Sequence, residues 1–321
     1  MIRSRLYLSH VMLVASAIAQ FGVLDCGSAH CQEQTRPRQL QVIEPDGEGL
    51  RALPCKSDQT YGSPDWSPDG KWIAYDTWSN GEDFVDARIE IMRVDGSGVR
   101  EIGAGAMPSW SPDGKQIVAH TYESPQTTVV MNVDGSGREV VMPHWGSPRW
   151  SPVGNRIVTA VSGSGLAVFD LATGKEVRIL PQYSPHQGLS ISPDGTHICF
   201  ASRSTVLGGN AGGALMLATL DRDAKSAPAR VLARPGFFSH SSFSPDGERI
   251  VFTWQPREGV DRDQLYLIDA AGKQRPVKLK GQNESLANAD PDWSPDGKLI
   301  AFTGEIPDQP NKVNGPPTDS R

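Results

Sequence analysis

The chain has 321 residues, with 31 Lys and Arg against 37 Asp and Glu, for a formal net charge of −6. That balance lacks the basic excess of a nucleic-acid-binding protein. Its 33 Gly and 25 Pro suit a turn-rich all-β chain, and apolar strands recur too regularly for a disordered body.

Residues 1–31 read as an export leader. Arg3 and Arg5 form a basic start, residues 6–19 are mostly apolar, and Ala17-Ile18-Ala19 offers a small-residue cleavage site, with a second near Ala29. The expected location is therefore periplasmic or secreted, with no stable membrane span once the leader is removed. Ser9-His10 inside the short apolar run argues against an uncleaved anchor, and Asp25 before Cys26 is a poor lipoprotein signal. Of the four cysteines, Cys26, Cys31 and Cys55 would be open to oxidation after export, in a pairing that sequence does not assign. Cys199 reads as a small buried residue.

Next come two strand-like runs, residues 40–44 and 50–54, around the turn Asp46-Gly47-Glu48-Gly49. They look like the second half of a four-stranded unit whose first half is missing. Six near-copies of one phrase follow. They are Trp66-Ser67-Pro68-Asp69-Gly70, Trp110-Ser111-Pro112-Asp113-Gly114, Trp150-Ser151-Pro152-Val153-Gly154, Ile191-Ser192-Pro193-Asp194-Gly195, Phe243-Ser244-Pro245-Asp246-Gly247 and Trp293-Ser294-Pro295-Asp296-Gly297. The leading positions are 44, 40, 41, 52 and 50 residues apart, a period that marks stacked supersecondary units. Ser, Pro and Gly at the first, second and fourth places match a type I turn.

An unbroken apolar run follows each turn, such as Trp72-Ile73-Ala74-Tyr75 or Ile250-Val251-Phe252, and predicts a strand covered on both faces. Further along, Asp95-Gly96-Ser97-Gly98 and Asp134-Gly135-Ser136-Gly137 each join two more strands as a hairpin. The last phrase has only its first two strands, and residues 305–321 read as a disordered tail. The N-terminal half-unit would supply the two missing strands. The expected fold is an all-β, six-bladed β-propeller of four-stranded antiparallel blades over residues 38–304, closed by the N-terminal hairpin completing the last blade.

The aromatic-Ser-Pro-Asp-Gly turns, the apolar strands behind them and the Asp-Gly-Ser-Gly hairpins resemble the repeats of TolB-like propellers, in the WD-repeat-like superfamily. The resemblance covers most of the chain and implies the fold more than a function. Neither the α/β domain that precedes the propeller in TolB nor the hydrolase domain of prolyl oligopeptidases has an expected counterpart, and no Gly-x-Ser-x-Gly elbow is seen.

Repeat arrays usually present binding surfaces. The uniform turns read as structural, and the variable loops leading into each inner strand read as functional. Immediately before each leading position stand Asp65, Ser109, Arg149, Ser190, Ser242 and Asp292. These polar residues would ring the channel mouth and bind a cation or basic side chain, or else cap turns locally. Trp78, Trp145 and Trp254 fall outside the repeat phrase and are candidates for a sugar or peptide contact. Glu82, Asp83 and Asp86, and Glu258, Asp261 and Asp263, form acidic loops that would attract a basic partner or Ca²⁺.

His144, His186 and His240 lie in successive loops, and convergent imidazoles would suit a divalent metal ion. Oligogalacturonate lyases, whose propellers are similar to TolB, use a His-rich metal site. The expected function is a non-catalytic, monomeric binding scaffold for a protein or cell-envelope polymer, without a cofactor. The alternative is a metal-dependent polysaccharide lyase.

Overall fold

The computed structural model describes residues 36–80, 84–144, 146–161, 164–186, 188–202, 213–220, 228–257 and 259–307. The leader, Cys26, Cys31, Glu82, Asp83, Trp145, Glu258 and most of the tail lie outside the described residues.

All regular structure is β apart from one short 3₁₀ turn, Phe84–Asp86, among the described residues. Strands β1 (Arg38–Ile43) and β2 (Arg51–Ala52) open the chain. A meander follows: β3 (Gln59–Trp66), β4 (Trp72–Ser79), β5 (Arg88–Arg93) and β6 (Arg100–Ala104). The next two are β7 (Ala106–Trp110), β8 (Gln116–His120), β9 (Thr128–Asn132) and β10 (Glu139–Met142), then β11 (Arg149–Trp150), β12 (Arg156–Ala160), β13 (Leu166–Asp170) and β14 (Lys175–Ile179). A larger sheet holds β15 (Ser190–Ile191), β16 (His197–Ser202), β17 (Gly213–Thr219), β18 (Arg230–Phe243), β19 (Arg249–Gln255), β20 (Gln264–Asp269) and β21 (Val277–Lys278). Strands β22 (Asn288–Trp293) and β23 (Ile300–Glu305) end the fold, and β1 pairs antiparallel with β23 from Arg38↔Glu305 to Ile43↔Ile300.

The expectation of six separate four-stranded blades closed into a ring needs correction. Among the described residues there are five sheets, four with four strands and one with seven, and none closes on itself. The cause is β18. This 14-residue strand pairs with β17 through its first half and with β19 through its second half. No turn intervenes, so two repeats merge into one sheet. The chain ends do share a sheet, in the order β2-β1-β23-β22.

Each repeat turn is built by its own side chains. Ser67 Oγ donates to Asp69 Oδ1 at 2.7 Å, Asp69 Oδ1 accepts from Lys71 N at 3.1 Å, and Trp72 N donates to Ser67 Oγ at 2.9 Å. These bonds satisfy the backbone as the chain reverses. Gly70 has φ +69°, a conformation that Gly adopts without a Cβ clash. The same pattern recurs at Ser111, Ser192, Ser244 and Ser294. Val153 breaks it, so Ser151 Oγ donates to the Val153 carbonyl instead.

The core lies between neighbouring sheets. Ala74 and Ile91 of one meander pack with Trp110, Ile117 and Val129 of the next. Each strand behind a turn is buried on both faces, which explains the unbroken apolar runs. Each large apolar side chain so buried contributes about 1.5–3 kcal/mol.

Candidate functional site at the hub of the inner strands

The leading strands β3, β7, β11, β15, β18 and β22 surround a cavity of about 370 Å³. All six residues that precede the leading positions line it. They also form a circuit of hydrogen bonds from strand to strand. Asp292 Oδ2 accepts from Trp66 N at 2.9 Å, and Asp65 Oδ2 accepts from Trp110 N at 2.8 Å. Ser109 Oγ accepts from Trp150 N at 3.2 Å. Arg149 Nε donates to Leu189 O at 3.1 Å, and Ser190 Oγ meets Ser241 Oγ at 3.0 Å. Ser242 Oγ accepts from Trp293 N at 3.1 Å and donates to Asp292 Oδ1 at 2.8 Å, completing the circuit. Among the described residues these side-chain bonds, and no backbone ladder, link the leading strands of neighbouring repeats at this level.

The wall above these groups comes from the repeat phrase itself. Trp66, Trp110, Trp150, Ile191, Phe243 and Trp293 face the cavity, and the six turn prolines stand at its rim. The turns that read as structural therefore also build the cavity. Neighbouring turns touch: a Cβ added at Gly297 would lie 3.2 Å from Pro245.

Charge at the base is uneven. Arg149 Nη1 lies 3.6 Å from Asp65 Oδ1, but the same nitrogen donates to Pro108 O at 3.0 Å. Burial pushes the Asp65 carboxyl up to about 7, and nearby Asp292 adds to the rise, opposed by Arg149 and the Trp110 N–H. Burial also raises Asp292, against the Trp66 N–H and Arg149. Two carboxylates thus share one guanidinium.

A second set of positions lies three residues before the leading ones, at Ser63, Met107, Ser147, Gly188, His240 and Asp290, four of them polar. Ser63, Met107, Gly188 and Asp290 have φ of 42°, 53°, 79° and 56°. Strand register shifts beside Ser63, Met107, His240 and Asp290, as expected where a bulge turns a residue off the ladder. His240 Nδ1 lies 2.5 Å from Asp290 Oδ1. Burial alone would raise the Asp290 carboxyl, yet His240, Arg38 and the Thr303 hydroxyl hold it well below the usual range. Asp76 accepts from Met107 N at 2.7 Å, and burial raises it to about 6. The repeat spacing marks these positions, but their residue types differ so much that Asp290 does not stand out in the sequence, and Asp76, on β4, lies outside the spacing altogether.

The remaining candidates among the described residues do not line the cavity. His144 Nε2 meets Glu176 at 2.9 Å and Arg178 at 3.0 Å, and His186 Nε2 meets Phe238 O at 2.8 Å. With His240 on Asp290, the three imidazoles have separate partners. Among the described residues no group of three or more His, Cys, Asp or Glu could hold a metal ion. Trp254 stacks on Phe238 with ring centroids 5.6 Å apart and donates to Pro235 O at 3.2 Å, while Trp78 lies in β4. Asp261 is taken by Arg257 at 2.6 Å, and Asp263 lies 3.8 Å from Arg38.

No family model and no curated protein matches the chain. Solved structures do. TolB from Acinetobacter baumannii is similar at 20% identity and a TM-score of 0.64, over 81% of this chain and 67% of that one. A protein assigned as TolB, from Agrobacterium tumefaciens, is similar at 17% identity and a TM-score of 0.67, over 85% of this chain and 100% of that one. An oligogalacturonate lyase from Vibrio parahaemolyticus is similar at 12% identity and a TM-score of 0.52, over 81% of each chain. The fold is propeller-like and related to that of TolB.

Proposed function

We propose that the chain is a non-catalytic binding scaffold that holds a protein or a cell-envelope polymer at the hub cavity. One observation carries this reading. Every repeat contributes one polar side chain to the same cavity, and each is held in place by bonds to a neighbouring strand. Such a site is preorganised, which lowers the cost of ordering it on binding. In the same reading residues 1–31 serve as a leader, the folded part acts as a monomer, and its place is the periplasm or the exterior. The leader pattern and the TolB-like fold support that placement.

The test is affinity capture from an envelope extract, with mass spectrometry of what is retained. Wild type is compared with Ser109→Trp, which fills the cavity. The scaffold reading expects a retained species that the filled variant loses while its circular dichroism spectrum at the assay temperature stays that of the folded chain. Retention unchanged by the plug places binding elsewhere and contradicts the reading.

A further inference from the structure

Building on the scaffold reading, we propose that the hub cavity recognises a basic side chain of a partner protein: a lysine or arginine whose charged end meets Asp65 and Asp292 while its stem packs on the aromatic wall.

The charge balance points this way. Two aspartates and one arginine meet at the base. Arg149 is already committed to the carbonyls of Leu189 and Pro108. It sits at 3.6 Å from Asp65, too long for a direct hydrogen bond. Asp292 has no ion-pair partner within salt-bridge distance among the described residues. With both carboxylates ionised the base carries one uncompensated negative charge, so a single positive group completes it. An anionic ligand would meet two carboxylates in a confined space and is disfavoured. The Asp65 side chain is 14% exposed and lines the cavity.

The wall suits the rest of such a side chain. Trp66, Trp110, Trp150, Phe243 and Trp293 bring five aromatic rings to a space of about 370 Å³. Aromatic faces attract cations and pack on alkyl stems. Trp293 already has a guanidinium on its ring, with Arg249 Cζ 4.9 Å from the centroid. The Ser109, Ser190 and Ser242 hydroxyls at the same level add hydrogen-bonding capacity.

Proton linkage supports the same ligand. Burial and Asp292 raise Asp65 toward neutrality. The charged groups facing Asp65 from the packed strands are Asp292 on β22 and Arg149 on β11. As pH falls below neutral, protonation of Asp65 competes with an entering ammonium or guanidinium. The proton leaves to solvent as the cation enters.

The test is a tryptophan fluorescence titration of the full chain, since four of its eight tryptophans line the cavity. The probes are the tripeptides acetyl-Ala-Lys-Ala-amide, acetyl-Ala-norleucine-Ala-amide and acetyl-Ala-Glu-Ala-amide, and the free diamine 1,5-diaminopentane. The lysine peptide is expected to bind at least tenfold more tightly than the norleucine and glutamate peptides. Its affinity is expected to rise by up to tenfold per pH unit between pH 5 and 7 and to level off above. Asp65→Asn and Asp292→Asn are each expected to weaken it tenfold or more, with folding checked by circular dichroism. Equal binding of lysine and norleucine peptides by wild type overturns the proposal without recourse to variants. Diaminopentane binding more tightly than the peptide overturns the assignment to a protein side chain. If no lysine peptide binds while an envelope species is still lost on plugging the cavity, this inference falls and the scaffold reading stands. If the plug changes nothing, the scaffold reading falls.

Discussion

Replacing Asp65 with Asn should make the protein more stable at pH 8 and leave a distinctive pH signature. The amide keeps an oxygen for the Trp110 N–H, now 2.8 Å from the carboxylate, and removes the charge. In wild type the folded state raises this carboxyl from 3.8 to about 7, through burial first and Asp292 second. A raised carboxyl pKa means that the folded chain holds a proton the unfolded chain has released. Its stabilising contribution is complete below about pH 4 and is lost as pH rises toward 7. Each pH unit in that window costs wild type about 1.4 kcal/mol, so the whole window is worth up to about 4 kcal/mol. The variant has no such loss, and Asp292 also loses a like-charged neighbour. Urea unfolding of both chains at pH 5, 6, 7 and 8 reads this directly. The difference should shift in favour of the variant by about 1 kcal/mol per unit up to pH 7 and then stay constant. Asp76 titrates nearby, but it is present in both chains and cancels in the difference. A difference that does not change with pH would refute the reasoning.

Other perturbations test separate parts of the account. Leu40→Ala empties a fully buried position where β1 meets β23, and should cost about 3 kcal/mol, against less than about 0.5 for exposed Leu50→Ala. Equal effects in urea melts would show that the N-terminal strands are not part of the packed sheet. His240→Ala leaves the Asp290 carboxylate buried with Arg38 at 3.8 Å and the Thr303 hydroxyl at 2.9 Å, and should cost about 3 kcal/mol at pH 7. Because Asp290 is depressed, its stabilisation is present above about pH 4 and lost as pH falls further. The variant should lack that acid loss. Val153→Asp should restore the turn bonds seen in the other repeats and add about 0.5–1 kcal/mol, measurable as a higher urea midpoint. His144→Ala removes only a partly exposed contact to Glu176 and Arg178, and capture of the envelope ligand should be unchanged.

The features most legible in sequence were those that repeat. The Ser-Pro-Asp-Gly turn bonds its own backbone, so its residue types are dictated locally and can be read at each occurrence. The ring of Asp65, Ser109, Arg149, Ser190, Ser242 and Asp292 was also visible, because its place relative to the turn is constant. Two things were not. The fusion of two repeats along β18 depends on the absence of a turn between residues 230 and 243, where Pro235 and Gly236 look like turn residues but continue the strand. The partners of the histidine rings were not legible either, for a related reason. Each occupies a similar loop, yet the bulges and strand ends aim the rings at Glu176, Phe238 and Asp290 in turn. Side-chain direction at a bulge is set by backbone torsions that residue type does not reveal. The aromatic positions read only as packing residues do pack, but their side chains also line the cavity.

A structure of the protein with its captured ligand tests the central claim most directly. The account places the ligand within contact distance of Asp65 and Asp292, between the indoles of Trp66, Trp110 and Trp293. A ligand seated along the outer strands β6, β10 or β14, with the hub untouched, would contradict it.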